Sequence, residues 1–234
     1  MSLNLRTRLA IGTAHLATTA SRVTGRGSGG MIGGLIAEKI DPNIMASLGD
    51  DRPVALVTGT NGKSTTTRML ASAIRAQHTV ATNEGGDNMD AGIISALMAG
   101  QKASHVILEV DELHVPAVAD RLKPSCLILL NLTRDQLDRV GEINKIERAL
   151  RDCVTKHPEM TVIANCDDVL VTSIAYDAKK RCMGIRGGRM ARRFRLLPAH
   201  WRARGPRRRR LVRSQATSQR RTIPSPNSAL EYHR

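Results

Sequence analysis

Short apolar blocks alternate along this chain with stretches of helical period, most regularly from residue 53 onward. The runs "PVALVTG" (53–59), "HTVAT" (78–82), "SHVILEV" (104–110), "SCLILLNL" (125–132) and "MTVIANC" (160–166) are aliphatic or β-branched and of strand length. Between them lie "STTTRMLASAIRAQ", "AGIISALMAG", "VPAVADRL" and "EINKIERALRDCVTKH", each long enough for a helix. Five strands alternating with helices predict an α/β fold, a doubly wound and mostly parallel sheet covered on both faces. Ligands of such sheets gather at the carboxyl ends of the strands.

The flanks read differently. In "MSLNLRTRLAIGTAHLATTA", Thr13, His15, Thr18 and Thr19 interrupt the apolar run, which is too short for the roughly 20 residues of a membrane span. Leu5, Leu9 and Leu16, with Ala10 and Ala17 beside them, fit one face of a helix and predict packing through that face, with contact to a membrane surface as the alternative. The glycines of "GRGSGGMIGG" (25–34) imitate a dinucleotide fingerprint, but no strand precedes them, so a loop leading into a helix "LIAEKI" is expected. The chain thus divides into a helical and glycine-rich segment (1–50), an α/β domain (51–184) and a tail (185–234).

A formal net charge of +15 suggests nucleic-acid binding. Residues 185–234, however, hold 15 arginines against the single acid Glu231, and residues 1–184 are close to neutral. The tail contains the run Arg207 to Arg210, has no strand–helix rhythm and is expected to be disordered. No aromatic platform accompanies its arginines, so no nucleic-acid partner is expected. Phe194, Trp201, Tyr176 and Tyr232 are the only aromatics of the Phe, Trp and Tyr type, which leaves an aliphatic core before residue 175. Cys126, Cys153, Cys166 and Cys182 form no C-x-x-C pair, so neither zinc nor a disulfide framework is signalled, and a reduced cytoplasm is expected. His78, His105, His114 and His157 show no metal or triad spacing.

The chemistry concentrates at "VTGTNGKSTTT" (57–67). A strand followed by Gly59, Gly62 and a helix near Lys63 surrounds a phosphate with backbone N–H groups. Thr58, Gly59, Thr60, Asn61, Gly62, Lys63, Ser64 and Thr65 form the candidate ATP loop, with Lys63 toward the β- and γ-phosphates and the hydroxyl of Ser64 or Thr65 on Mg²⁺. The general pattern G-x-x-x-x-G-K-[ST] nevertheless fails at its first glycine, where Val57 stands. Glu109, at the end of a central strand, suits a Mg²⁺ ligand, and Asp111 and Glu112 add charge in the same turn. The turn "RDQLDR" (134–139) follows the next strand and brings Arg134, Asp135, Gln136 and Asp138 to the same crevice, unless it is a salt-bridged helix cap. Asn83 and Asn88 in "TNEGGDNM" (82–89) fit a loop over phosphates or substrate, while Asp167 and Asp168 after Asn165 fit a helix start.

The stretch "GTNGKST" after a strand resembles the ATP loop of the Mur ligases and folylpolyglutamate synthetases, whose loop departs from the general pattern in the same way. Within that superfamily, "TNEGGDNM", "LEVDE", "NLTRDQLDRVGE" and "NCDD" resemble the MurT type, the ligase subunit of lipid II isoglutaminyl synthase, over about residues 1–184. The resemblance implies a Mur ligase central domain that uses ATP and Mg²⁺, with Lys63 and Glu109 as catalytic groups and Asn165 contacting adenine. It implies Gln136 where peptide-adding Mur ligases carry a metal-binding histidine.

The implied reaction activates the D-glutamate α-carboxylate of lipid II, at the inner membrane face, as an acyl phosphate and amidates it to D-isoglutamine. Ammonia would come from a glutaminase partner of the GatD type, since this chain shows no glutaminase signature of its own. The resemblance also implies a four-cysteine zinc ribbon and a further C-terminal domain, but it stops at Cys182–Gly184, before either. The Arg- and Pro-rich remainder is what an out-of-frame reading of a GC-rich gene yields, so a frame-shift or truncation near residue 184 is expected. A peptide-adding Mur ligase or folylpolyglutamate synthetase, or a catalytically incomplete ATP-binding fragment, is the alternative; Gln136 and "EVDE" weigh against the peptide-adding enzymes.

Overall fold

A computed structural model of the protein describes residues 3–23, 30–83, 85, 87–133 and 140–184, all within the first of the chain's two units, Met1–Ala203. The predicted sheet is present and entirely parallel. Strands β1 (Val54–Thr58), β2 (Val80–Ala81), β3 (His105–Glu109), β4 (Cys126–Leu129), β5 (Thr161–Asn165) and β6 (Lys180–Gly184) stand in the order β2-β3-β1-β4-β5-β6. Every residue of β1 and β3 is buried, as parallel strands covered on both faces require.

Alternation along β1 divides the core. Ala55 and Val57 meet Ala71 and Ile74 of helix α4 (Lys63–Arg75) on one face. Val54 and Leu56 face the larger cluster on the other. That cluster draws on α3 (Ile44–Gly49), α5 (Asp90–Ala99), α6 (Val115–Leu122), α7 (Val140–Lys156) and α8 (Val169–Tyr176). Its largest fully buried side chains are Ile, Leu and Met, the aliphatic core that the missing aromatics demanded.

Two strand–helix elements extend the predicted pattern. Helix α8 starts at the Asp168 cap, whose carboxylate accepts from Val171 N at 3.0 Å. The sixth strand, "KRCMG", is polar and lies at the sheet edge beside β5, so it carries no apolar run to announce it.

The N-terminal segment overturns two expectations. Helix α1 (Leu5–Val23) forms, but it does not pack through its leucines: Leu5, Leu9 and Leu16 are 83%, 61% and 74% exposed, while Thr7, Ala10, Ala14 and Ser21 are buried. The reason is close approach. Helix α2 (Gly30–Ile40) starts at Gly30, five residues earlier than "LIAEKI", because its glycines form an interface rather than a loop. A Cβ on Gly33 would lie 2.5 Å from Thr18 Oγ1 of α1, and one on Gly34 would lie 1.8 Å from Ala91 O of α5. Only small residues fit between helices this close. Thr7 Oγ1 donates to buried Asp41 at 2.6 Å and Arg6 Nε donates to Ile40 O at 2.7 Å, locking the two helices end to end. The three leucines forgo roughly 1.5–3 kcal/mol each that full burial would supply.

Two glycines with opposite surroundings test this packing. Gly34→Ala should destabilise the protein by about 1–3 kcal/mol in urea unfolding, because α2 must move off α5. Gly12→Ala, where nothing lies within 4 Å of the added carbon, should stabilise it by about 0.5–1 kcal/mol through helix propensity.

Candidate functional site

The loop between β1 and α4 is built around two glycines with positive φ, Gly59 at 141° and Gly62 at 87°. At Gly59 a Cβ would fall 2.9 Å from Leu130 Cβ and 3.0 Å from the Asn131 backbone. The loop is clamped to the chain after β4. Thr60 N donates to Asn131 O (2.9 Å), Asn61 N donates to Asn131 Oδ1 (2.9 Å), and Asn131 Nδ2 returns a bond to Asn61 O (2.9 Å). Thr133 N donates to Thr60 Oγ1 at 3.1 Å, and Asn61 Nδ2 donates to Thr133 Oγ1 at 3.3 Å.

Gly62 caps helix α4 with no side-chain bond, and no acidic residue stands in the first turn, so the leading N–H groups suit an anion. Ser64 and Thr65 stand in that first turn. Thr58 Oγ1, where β1 enters the loop, is buried with no hydrogen-bond partner among the described residues.

Lys63 bends back over the loop. Its Nζ donates to Gly59 O at 2.7 Å and Thr60 O at 3.4 Å, and pairs with Glu112 Oε1 at 3.4 Å. Glu112 is buried in the turn after β3, and Glu109, also buried, ends β3 in register with Val57 of β1. The Glu109 backbone is held from both sides by Asn83, whose Oδ1 accepts from Glu109 N and whose Nδ2 donates to Glu109 O, each at 2.8 Å. Asn88 Nδ2 donates to the Glu109 carboxylate at 3.4 Å, and its carbonyl accepts from Asp111 N at 3.2 Å. Asp111 itself turns away to the local backbone, accepting from Leu113 N at 3.1 Å.

On the other side of the loop, Asn165 at the end of β5 helps line a cavity of about 320 Å³ with Ile128, Leu130, Ile163 and Asp167. Leu130 is shared between that cavity and the loop: a Cβ on Gly62 would lie 3.8 Å from its Cδ1. Asp168 joins the two strand ends by accepting from Leu132 N at 2.8 Å while capping α8.

The fold therefore gathers the loop residues, Glu109, Glu112, Asn83 and Asn88 on one side, with Asn165 across the loop. Arg134, Asp135, Gln136 and Asp138 lie outside the described residues, as does the tail from residue 185. Asn131 was missed by the motif reading although it organises the whole loop. Its signal was available, an Asn directly after an apolar strand. No three His, Cys, Asp or Glu side chains cluster as a ready metal cage among the described residues.

Residues 57–191 match the family model of the Mur ligase middle domain. The chain is 32% identical over 173 residues to the MurT subunit of lipid II isoglutaminyl synthase (glutamine-hydrolyzing) of Streptococcus pneumoniae, covering 72% of this chain and 38% of that one. The MurT subunit of Staphylococcus aureus is similar to the same degree, 32% over 174 residues, covering 73% and 39%. The chain thus spans less than two fifths of the length of these relatives. A UDP-N-acetylmuramoylalanine–D-glutamate ligase of Geotalea daltonii is 32% identical over 130 residues, 55% of this chain and 28% of that one. Among solved structures, MurF of Acinetobacter baumannii shares the fold with a TM-score of 0.55 at 21% identity, over 67% of this chain and 35% of that one.

Two measurements probe the site's framework. Asn131→Ala removes both side-chain bonds to Asn61 and should speed amide exchange at Asn61 about fivefold, as losing about 1 kcal/mol of hydrogen bonding implies. Burial pushes the Cys126 thiol up from 9.0 to about 12, with Cys182 adding to the effect, and pushes Cys153 up to about 11, with Asp120 adding. Both stay protonated at neutral pH, so iodoacetamide should label Cys166 and Cys182 and spare these two. Because both folded-state values are raised, the stability linked to them is complete below the unfolded thiol value and is lost as pH rises toward 11 and 12.

Proposed function

The chain belongs to the Mur ligase middle-domain family, and from that premise we propose that it forms the ATP-binding part of an ATP-dependent carboxylate–amine ligase of peptidoglycan synthesis, of the MurT type. The reading rests on one observation. A G-x-x-G-K-S loop is pinned at the carboxyl end of β1, with its lysine between the loop carbonyls and the carboxylate-bearing turn of the adjacent strand.

In this proposal the first-turn N–H groups of α4 and the residues Thr58 to Thr65 hold the phosphates, and Lys63 neutralises charge on the transferring phosphoryl group. The cradle fits such a group, since Gly59 and Gly62 leave the loop face free of side chains and α4 lacks a competing cap. Ser64 and Glu109 would hold Mg²⁺, which would supply charge withdrawal from the phosphates. Asn83 and Asn88 fix the Glu109 backbone and carboxylate for that task. The adenine would lie toward Leu130 and Asn165.

The γ-phosphate passes to a carboxylate with release of ADP, and ammonia displaces phosphate from the acyl phosphate to leave an amide. The acceptor proposed is the D-glutamate α-carboxylate of lipid II, with Asp111 and Glu112 at its edge. A glutaminase subunit of the GatD type would deliver the ammonia, and the reaction would run in the cytoplasm.

Calorimetric titration with Mg-ATP tests the core of this reading. The chain should bind nucleotide, and Lys63→Ala should weaken binding about ten- to a hundredfold, the worth of a charge-assisted contact of about 1.5–3 kcal/mol. Glu109→Gln should weaken it only when Mg²⁺ is present. Equal affinity in the wild type and Lys63→Ala would sink the proposal. Incorporation of labelled ammonia in preference to an amino acid, with lipid II as acceptor, separates the amidating reading from a peptide-adding one.

A further inference from the structure

Helix α1 is inverted for a helix that serves only to pack. Leu5, Leu9, Gly12 and Leu16 follow one another at spacings of four, three and four residues, so they make a single stripe, and all four are exposed. The opposite stripe, Thr7, Ala10, Ala14 and Ser21, is the one that meets the protein. Neighbouring α2 repeats the arrangement. Its Gly33, Gly34 and Ala37 are buried, whereas Met31, Ile32 and Leu35 are 40%, 38% and 55% exposed. Two adjacent helices therefore turn their small residues inward and their large aliphatic ones outward.

The charges around this face have one sign. Arg6 and Arg8 are exposed on the two flanks of the leucine stripe, and Lys39 is exposed in the last turn of α2. Helix α1 contains no acidic residue. The single acid of α2, Glu38, is already bonded to Arg121 at 3.1 Å. A second copy of the chain docking by the same face would set arginines against arginines. A surface of anionic headgroups over acyl chains matches both the charge and the aliphatic stripe.

We propose that the outer face of α1 and α2 docks on an anionic lipid bilayer, with α1 lying flat at the headgroup level. Leucine side chains would enter the acyl boundary, while the arginine heads reach phosphates at the level of the helix axis. No helix among the described residues is long and apolar enough to cross a membrane. At 1.5 Å per residue, the 19 residues of α1 extend about 28 Å along the surface. The inference stands apart from the ligase reading, because docking needs no nucleotide.

Flotation of the full chain with phosphatidylglycerol–phosphatidylcholine vesicles tests it, and the basic tail requires an internal control. The triple variant Leu5→Ser, Leu9→Ser, Leu16→Ser changes only exposed positions and should keep the wild-type circular dichroism and Mg-ATP behaviour. It should lose at least about tenfold in vesicle partitioning, given the apolar area withdrawn from the boundary. Arg8→Gln should weaken binding to phosphatidylglycerol vesicles several-fold and leave binding to pure phosphatidylcholine unchanged. The leucine-dependent part should survive salt that screens the tail. Equal partitioning of the triple variant and the wild type would overturn the proposal and assign any binding to the tail. Lipid-free self-association abolished by the triple variant, without vesicle binding, would overturn it in favour of a second copy.

Discussion

The backbone at Gly59 passes so close to the end of β4 that no side chain fits, and the rest of the site is arranged around that contact. With a Cβ held 2.9 Å from Leu130 Cβ, the loop could not lie against Asn131. The bonds from Thr60 N and Asn61 N would then have no acceptor. The same contact explains why the loop departs from the general glycine pattern. Val57 is still part of β1, fully buried, in register with Glu109 on one side and Ile128 on the other, and packed in the cluster that includes Ala71 and Ile74. A glycine at 57 would empty that space. The strand runs on to Thr58, and the turn is accomplished afterwards by Gly59 and Gly62 alone.

Strand order converts this local turn into a site. Because β1 lies between β3 and β4, the chain leaves β1 toward α4 on one face and leaves both neighbours toward α6 and α7 on the other, a reversal of the kind at which α/β sheets open a crevice. Each neighbour contributes something different. From β3 come the carboxylates Glu109 and Glu112, and from β4 comes the Asn131 clamp, with Leu130 leading to the cavity bounded by Asn165. Asp168 ties β5 to that clamp through Leu132 N. Four parallel strand ends are thereby held at fixed spacing by hydrogen bonds that stand outside the sheet ladder.

Most of this was legible in the chain because the relevant signals are local. The alternation of buried runs with helical stretches locates β1 to β5, and Gly-Lys-Ser between a strand and a helix locates the loop. Glu109 follows from a carboxylate closing an apolar run. What was not legible depends on pairs distant in sequence. Nothing near Leu5 or Leu9 reveals that Gly33 and Gly34 let two helices approach until only alanine and threonine fit between them. Periodicity finds a helix but cannot say which face turns inward when both faces are apolar. Asn131 and Asn61 are 70 residues apart, and the edge strand β6 is recognisable only by its pairing with β5.

The balance of charge at the loop bears on which ligand it can accept. Two buried carboxylates, Glu109 and Glu112, stand beside one ammonium, that of Lys63, which bonds Glu112 and the carbonyls of Gly59 and Thr60. A polyphosphate entering this site would add several negative charges where carboxylates already outnumber the lysine. At the spacing of the Lys63–Glu112 pair, like charges repel by several kcal/mol at an effective dielectric constant of about 20. A divalent cation held by Glu109, as proposed, would offset that repulsion. Lys63 could then exchange Glu112 for a phosphate oxygen without a net loss of ion pairing. Asn88 bears on the same site: its amide donates to the Glu109 carboxylate and orients it. The buried acids of β3, unfavourable for nucleotide alone, are therefore consistent with a site that takes nucleotide and metal together.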